Sequence, residues 1–565
     1  MGLNAVQRKK KSNNDGAKAD RVLLFYLKTG GFMISLSNDF FYKMSFNKSI
    51  SSFAYLVFVS CLLACNSNPK STTPTEPSGL SGRELAQKYC NSCHAVPTPD
   101  LLEKKIWQRK VLPQMALRMG FFADSLSPFR QMSDPDEIER VVHSSAFADA
   151  PMLHPDDWQK LTAYYLENAP DKLLPQAPKP ASADRLPLFT VRQPTQPVDN
   201  LITLLTYEPR SQRIAVGSRR GKLVFLNKGL QKVDSVVTFN PPSGLRARAD
   251  GSLEVLTMGN MDPNDRMNGE LLQIRRNPAT QKADRTVVLQ KLQRPVEATY
   301  ADLNGDGKED ILVCQFGFYL GQLSWFENTG TAYIEHVLDP VPGAIRAVVT
   351  DMNNDGRVDI VALLSQSDEQ VAIFNNEGGG RFWKKTVLRF PPVFGSIYLD
   401  VVDFDKDGDM DLLYTNGDNA DYSYSLKRYH GIRLFRNDGN FTFRQVWFYP
   451  MHGAAKALAR DFDGDGDLDV AAIAFFPDFS QKKLENFVFL ENRGKNRFRP
   501  ATFPESAQGA WLTMDAADVD QDGDEDILLG SFAFRVTPTP KEVLDRWRNA
   551  KAGVMLLENQ TKKPK

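Results

Sequence analysis

From Leu186 onward, apolar residues fall in short β-forming runs broken by glycine, asparagine and aspartate, whereas the stretch before it carries apolar residues at helical spacing. The first helix signal is sharp. Ser81 and Glu84 are spaced as a capping box, with Leu80 and Leu85 placed to staple the same turn, and the predicted helix runs into Cys90. A later helix starts at Pro155, whose fixed φ suits a first helical position. Trp158, Leu161, Tyr165 and Leu166 give it an apolar face, and Pro170 stops it. Two stretches bury nothing: the polar, proline-spaced residues 66–77 and a proline-rich segment beginning at Pro175.

The strand-rich part repeats. Five segments align, beginning at Asp302, Asp351, Asp403, Asp461 and Asp518, each with the pattern Asp-x-Asx-x-Asp-Gly-x-x-Asp. Each is followed by an apolar strand such as Ile311-Leu312-Val313, then by a second strand ending in an asparagine turn such as Phe374-Asn375-Asn376-Glu377-Gly378. A period of roughly 50 residues with four short strands is that of a propeller blade. Two further repeats lack the acidic segment: Ile214–Gly217 with Lys222–Leu226, and Leu253–Thr257 with Leu271–Ile274. That makes seven blades. The last repeat, ending at Asn559, is short of an outer strand, and Leu186–Val191 precedes the first blade without a partner, so these two ends are expected to pair and close the ring.

Composition narrows the classes. Lysine plus arginine equals aspartate plus glutamate at 69 each in 565 residues, which removes the global basic field that nucleic-acid binding would use. The five cysteines, Cys61, Cys65, Cys90, Cys93 and Cys314, do not form a disulfide framework, since each has another assignment. Cys314 lies on an apolar strand and is expected as a small buried hydrophobe. Cys61 lies in an apolar run, 50–64, which is too short for the roughly 20 residues that cross a bilayer but suits a signal-peptide core flanked by Lys48. The run ends in Leu62-Leu63-Ala64-Cys65, which resembles the lipobox of bacterial lipoproteins. The resemblance implies lipidation of Cys65, with residues 1–43 an upstream extension and translation starting at Met44.

Cys90-Asn91-Ser92-Cys93-His94 is a CxxCH segment in a helical setting. Zinc would need a second ligand pair at matching spacing, and a thioredoxin-like motif would need a βαβ context; neither is present. Residues 79–175 resemble class I cytochrome c. The resemblance implies one haem c, attached through Cys90 and Cys93 with His94 as an axial ligand. It also implies a distal methionine shortly before the last helix, which places Met152 first and Met115 next, with Met119 a further competitor and His143 or His154 as bis-histidine alternatives.

The acidic segments have the ligand spacing of the first part of an EF-hand loop: oxygens at positions 1, 3, 5 and 9, a backbone carbonyl at 7 and glycine at 6. The ligand sets are Asp302, Asn304, Asp306, Lys308 and Asp310; Asp351, Asn353, Asp355, Arg357 and Asp359; Asp403, Asp405, Asp407, Asp409 and Asp411; Asp461, Asp463, Asp465, Asp467 and Asp469; and Asp518, Asp520, Asp522, Asp524 and Asp526. The residue at position 7 serves through its carbonyl. No glutamate stands at position 12 (Val313 does in the first loop), so water or a neighbouring oxygen is expected to complete the shell. Up to five Ca²⁺ ions are expected, with the second loop weaker than the three that follow it. These repeats resemble FG-GAP/VCBS repeats, the calcium-loop blades of the integrin α propeller, which implies a calcium-stabilised ring.

The sequence is thus expected to be multidomain: an upstream extension 1–43, a signal segment 44–64, a tether 65–78, a small all-α class I cytochrome c-like domain 79–175, a linker 176–185 and an all-β seven-bladed propeller 186–560. The expected function is electron transfer by a lipoprotein of the bacterial cell envelope, lipid-anchored at the outer membrane and facing the periplasm or the surface. Its partners would be a redox protein and a protein or glycan ligand of the propeller, with no nucleic acid. The alternative is a propeller oxidoreductase that passes substrate electrons to the haem. No G-x-S-x-G, H-E-x-x-H or Walker segment is present, and no catalytic residue is assigned.

Overall fold

The computed structural model describes residues 73–122, 129, 132–277, 279–280, 282–420, 424–550 and 553–562, together with the backbone of one hairpin, Phe25–Thr29 paired with Phe32–Leu36. The signal segment 44–64, Cys65 and most of the tether lie outside the described residues, as does the rest of 1–43.

Helix α1, Gly82–Tyr89, starts at the capping box: Ser81 N–H donates to Glu84 Oε2 (2.9 Å) and Glu84 N–H to Ser81 Oγ (3.4 Å). Residues 104–118 form a second helical stretch whose middle, Trp107–Val111, is π-spaced before α2, Leu112–Arg118. Pro113 explains the irregularity. It has no N–H for the carbonyl of Arg109 and its ring crowds that carbonyl, so the turn widens and Leu112 N–H reaches back to Trp107 O. Helix α3, Pro135–Val142, is capped by Asp134, and α4, Pro155–Asn168, by the His154 ring, whose Nδ1 accepts from Asp156 N–H at 3.2 Å. Helices α1 and α4 cross in contact at Gly82, where a Cβ would stand 2.3 Å from Lys160 O and 2.6 Å from Tyr164 Cβ. Only glycine permits that approach.

The strand-rich part is a ring of seven four-stranded antiparallel sheets: residues 202–237, 242–292, 295–339, 344–389, 396–450, 454–501, and a seventh made of Trp511–Ala517, Asp526–Ser531, Val554–Asn559 and Phe189–Arg192. The expected closure is observed, with Phe189 opposite Asn559 and Val191 opposite Leu557. The second strand of blades 3 to 7 is buried along its whole length, for example Asp359–Leu364 and Asp469–Ala474, because each blade is sandwiched between its neighbours. That is why these strands read as unbroken apolar runs. Cys314 is buried in this core. The seventh blade also carries a long insertion between its second and third strands, holding helix α5, Lys541–Asn549.

Antiparallel order sorts the connections onto two faces. Links from first to second strand and from third to fourth lie on one face, and the remaining links lie on the other. The acidic loops are on the first face. The helical segment packs on the second: Val393, Phe394 and Tyr429 share a core with Leu85, Leu102 and Tyr165, and Tyr429 Oη donates to Leu101 O (3.2 Å). Asp265 accepts backbone N–H bonds from Phe318, Tyr319 and Leu320 (2.8, 3.1 and 2.8 Å), while its own N–H donates to Glu137 and its carbonyl accepts from Arg140. The segment 176–185 lies against the ring as a strap: Gln176 donates to His430 O, Lys179 to Pro450 O, and Ala183 N–H to Pro500 O.

Candidate functional sites

Helix α1 ends in a tight 3₁₀ turn, Cys90–Ser92, with Cys93 and His94 N–H both directed at Cys90 O (3.5 and 3.4 Å). The turn presents the two sulfurs differently. Both thiols are free; Cys93 is exposed, whereas Cys90 is half-buried in the core that also holds Leu85, Leu153 and Met152. Burial pushes the Cys90 thiol up to about 11. His94 Nδ1 lies 3.0 Å from Ala95 O, and burial lowers its pKa, so the neutral ring with Nδ1–H on that carbonyl leaves the Nε2 lone pair uncommitted. Beside the turn a cleft of about 590 Å³ is lined by Arg83, Gln87, Asn91, Val96 and Tyr164, and by Arg389 from blade 4.

The structure brings Met152 into the same core as Cys90 and bonds its N–H to Met119 O at 3.0 Å. Met119 is buried in the same core, and Met115 is half-buried outside this cluster. The His154 ring is engaged in the α4 cap, whereas His143 closes α3 through its backbone N–H and is exposed.

In the acidic loops the aspartate at position 1 accepts N–H bonds from the glycine turn: Asp302 from Gly305, Asp306 and Gly307, and Asp351 from Asp355 and Gly356. The aspartate at position 9 has a second role that spacing did not reveal. Asp310, Asp359, Asp411, Asp469 and Asp526 are buried, and each accepts the N–H of the asparagine ending the third strand: Asn328, Asn376, Asn437, Asn492 and Asn559, at 2.7–2.8 Å. In all but the fourth loop the other oxygen accepts the N–H of position 2 at 2.9–3.1 Å. The asparagine side chains return the contact by donating to the position-8 carbonyl. Acidic loop and asparagine turn are two halves of one clasp.

The loops differ electrostatically. In the last three, carboxylates gather within 4.8 Å of one another: Asp403, Asp405 and Asp411; Asp461, Asp463 and Asp465; Asp518, Asp520 and Asp522. Burial first, and the crowded carboxylates after it, push Asp411 up to about 6 and Asp469 and Asp526 up to about 7. The oxygens Asp403 Oδ1, Asp469 Oδ2, Asp522 Oδ2 and Asp524 Oδ1 are buried with no hydrogen-bond partner. Gathered carboxylates with orphaned oxygens among or beside them suit a hard divalent cation. In the first two loops a base from within the loop is already present: Lys308 Nζ lies 2.8 Å from Asp306 Oδ2, and Arg357 Nη2 2.5 Å from Asp355 Oδ2.

A further polar group, not singled out in the sequence, lies near the helical contact. Glu369 is buried and accepts from Gly395 N–H (3.0 Å) and Ser396 N–H (2.8 Å), and the Ser396 hydroxyl also bonds Tyr414 Oη. Lys427 and His430 are fully buried nearby; burial holds the His430 ring neutral.

The FG-GAP-like repeat family model matches residues 302–362, 351–414 and 415–472. Comparison with curated proteins gave no match. Among solved structures, the chain is similar to the N-terminal domain of Nup159 (11% identity, TM-score 0.38, covering 68% of this chain and 98% of that one). It is also similar to BBS1N in complex with ARL6DN (8%, 0.41, 67% and 98%) and to the Neurospora crassa Pan2 WD40 domain (10%, 0.41, 68% and 98%). The described ring is a seven-bladed all-β propeller with FG-GAP-like repeats, an architecture that suggests a binding function.

Proposed function

We propose that the protein is an exported electron carrier, lipid-anchored at Cys65 in a bacterial cell envelope, in which residues 79–175 are a cytochrome c-like domain and the propeller is a calcium-stabilised binding module for a protein or glycan. The observation that carries this reading is the Cys90–His94 turn: two free thiols, one exposed and one facing the core, followed by a neutral imidazole held at Nδ1. The crossing of α1 and α4 at Gly82, and the packing of Met152 and Cys90 against one core, support it further.

Cys90 and Cys93 Sγ would attach the prosthetic group, His94 Nε2 would be one axial donor and Met152 Sδ the other, with Met115 next. A haem c bound there supplies a one-electron couple. The chain's own contribution is to keep water from the Cys90 side through Leu85, Leu153 and Tyr165, and to fix the imidazole through Ala95 O. A redox protein would deliver or accept the electron.

The test is expression of the full chain with the cytochrome c maturation system. Covalent haem with a reduced spectrum of the thioether-linked type is expected, and loss of that attachment in Cys90→Ala/Cys93→Ala. A wild-type chain emerging with free thiols and no covalent haem would sink the reading. Met152→Ala should abolish the weak long-wavelength band of Met-ligated ferric haem; persistence of that band would move the assignment to Met115.

A further inference from the structure

The clasp and the cation pairs divide the five acidic loops into two kinds. Counted from position 1 to 9, the side chains carry net charges of −3 and −2 in blades 3 and 4, but −4, −5 and −6 in blades 5, 6 and 7. Position 7 makes most of the difference: it is Lys308 and Arg357 in the first two loops, and Asp409, Asp467 and Asp524 in the others. The two bases reach the carboxylate at position 5 of their own loop, and Arg357 Nε also donates to Asn376 O (2.7 Å), so the guanidinium bridges the loop to its clasp asparagine.

In blades 5 to 7 no base pairs with the position-5 carboxylate among the described residues, although Arg460 Nε lies 3.5 Å from Glu525 Oε2 at position 8 of the blade 7 loop. Lys406 Nζ donates to Gly466 O, and Lys562 Nζ to Gly523 O, both backbone carbonyls. Arg436 is held by Asp438 at 2.7 Å and stands 3.8 Å from Asp405. Among the described residues of the five loops, the orphaned aspartate oxygens lie on this arc: Asp403 in blade 5 is half-buried, Asp469 in blade 6 is 1% exposed, and Asp522 and Asp524 in blade 7 are 7% and 8% exposed. A desolvated carboxylate oxygen without a partner is costly, and more so where other carboxylates of the same loop stand close by.

We propose that in blades 3 and 4 the position-7 base stands in for a divalent cation, so that the ring takes three calcium ions, in blades 5, 6 and 7, instead of five. The inference rests on the calcium reading above and sharpens it. One arc of the propeller then folds without metal, and the adjoining arc depends on it.

Calcium binding to the full chain, measured by equilibrium dialysis after chelator treatment, should saturate at three ions. Lys308→Asp/Arg357→Asp, which gives the first two loops the position-7 residue of the others, should raise the number to five, and Asp467→Lys should lower it to two. Five ions on the wild type, or an unchanged count in the double variant, would overturn the inference while leaving the calcium reading intact. No bound calcium at millimolar concentration would overturn both. Hydrogen exchange of the unmutated chain gives a check that does not depend on variants folding: chelator should speed exchange at the loops of blades 5 to 7 and leave those of blades 3 and 4 unchanged, and equal acceleration in all five would overturn the inference.

Discussion

The clasp aspartate of blade 4 offers a test of the ring's hydrogen bonding that is free of metal. Asp359 is fully buried; Oδ1 accepts Asn376 N–H at 2.8 Å and Oδ2 accepts Met352 N–H at 3.0 Å. Asp359→Asn keeps the shape. Its amide oxygen can serve one of these donors, but its NH₂ must then face the other, leaving a buried N–H unpaired. Leaving such a donor unmet costs about 1–3 kcal/mol, so a loss of about 2 kcal/mol is expected at the loop. Since about 1.4 kcal/mol is tenfold, the amides of Met352 and Asn376 should exchange roughly 30-fold faster in native-state hydrogen exchange. The measurement belongs in chelator, so that no cation contributes. Asp355→Asn is the control: Asp355 is exposed and its pair with Arg357 is screened by solvent, so little change is expected. Unchanged exchange at both amides in Asp359→Asn, or an equal effect in Asp355→Asn, would refute the idea that the buried carboxylate and not the loop charge holds the two turns together.

Three other outcomes are expected. Gly82→Val should overpack the α1–α4 crossing, where the added carbons meet Lys160 O and Tyr164 Cβ, costing about 1–3 kcal/mol or more and lowering the thermal midpoint of the helical signal by circular dichroism. Glu369, pushed up from 4.5 to about 7 by burial, holds its proton more tightly in the folded chain. Its contribution to stability is full below pH 4.5 and is lost as pH rises through 7, by about 3 kcal/mol in all, so urea melts of Glu369→Gln should lack that decline. Val191→Pro, on the strand that closes blade 7 opposite Leu557, should open a sheet edge and shift the chain to concentration-dependent oligomers on size exclusion.

Much of this was legible along the chain because the determinants are local. Ser81 and Glu84 cap α1 through each other, the five acidic segments mark their blades, and the outer strand that the last repeat lacks can be supplied by the unpartnered strand before the first blade. The helical contact was not legible, since Asp265, Val393 and Tyr429 come from three separate connections, one within blade 2, one between blades 4 and 5 and one within blade 5. The role of Asn376 and its equivalents was half visible: the turns were recognised, but not that each donates to the loop before it. Helix α5 had a signal, with Pro540 followed by Val543, Leu544 and Trp547 on one face, all three now buried. The contrast of Lys308 and Arg357 with Asp409, Asp467 and Asp524 was present in the letters. Only the ion pairs give it meaning.

Blade 5 sets how far the influence of the proposed cation would extend. Its second strand, Asp411–Asn416, begins at the clasp on one face and ends at Asn416, whose amide donates to Phe394 O (3.0 Å) and Tyr429 O (3.1 Å), the residues that receive the helical segment. Six extended residues, roughly 20 Å, separate the two faces. The strand is buried throughout and tied at Asp411 by the N–H groups of Phe404 and Asn437, donors that are present with or without metal. A cation in this loop would therefore add no hydrogen bond that the blade lacks; it would relieve the repulsion among Asp403, Asp405 and Asp411. Relief of that kind is partly supplied by ionic screening, at least for the exposed Asp405. The destabilisation caused by chelator should accordingly shrink as monovalent salt is raised, and the contact of Tyr429 with Leu101 on the far face should hold at every salt concentration at which the blade itself is folded.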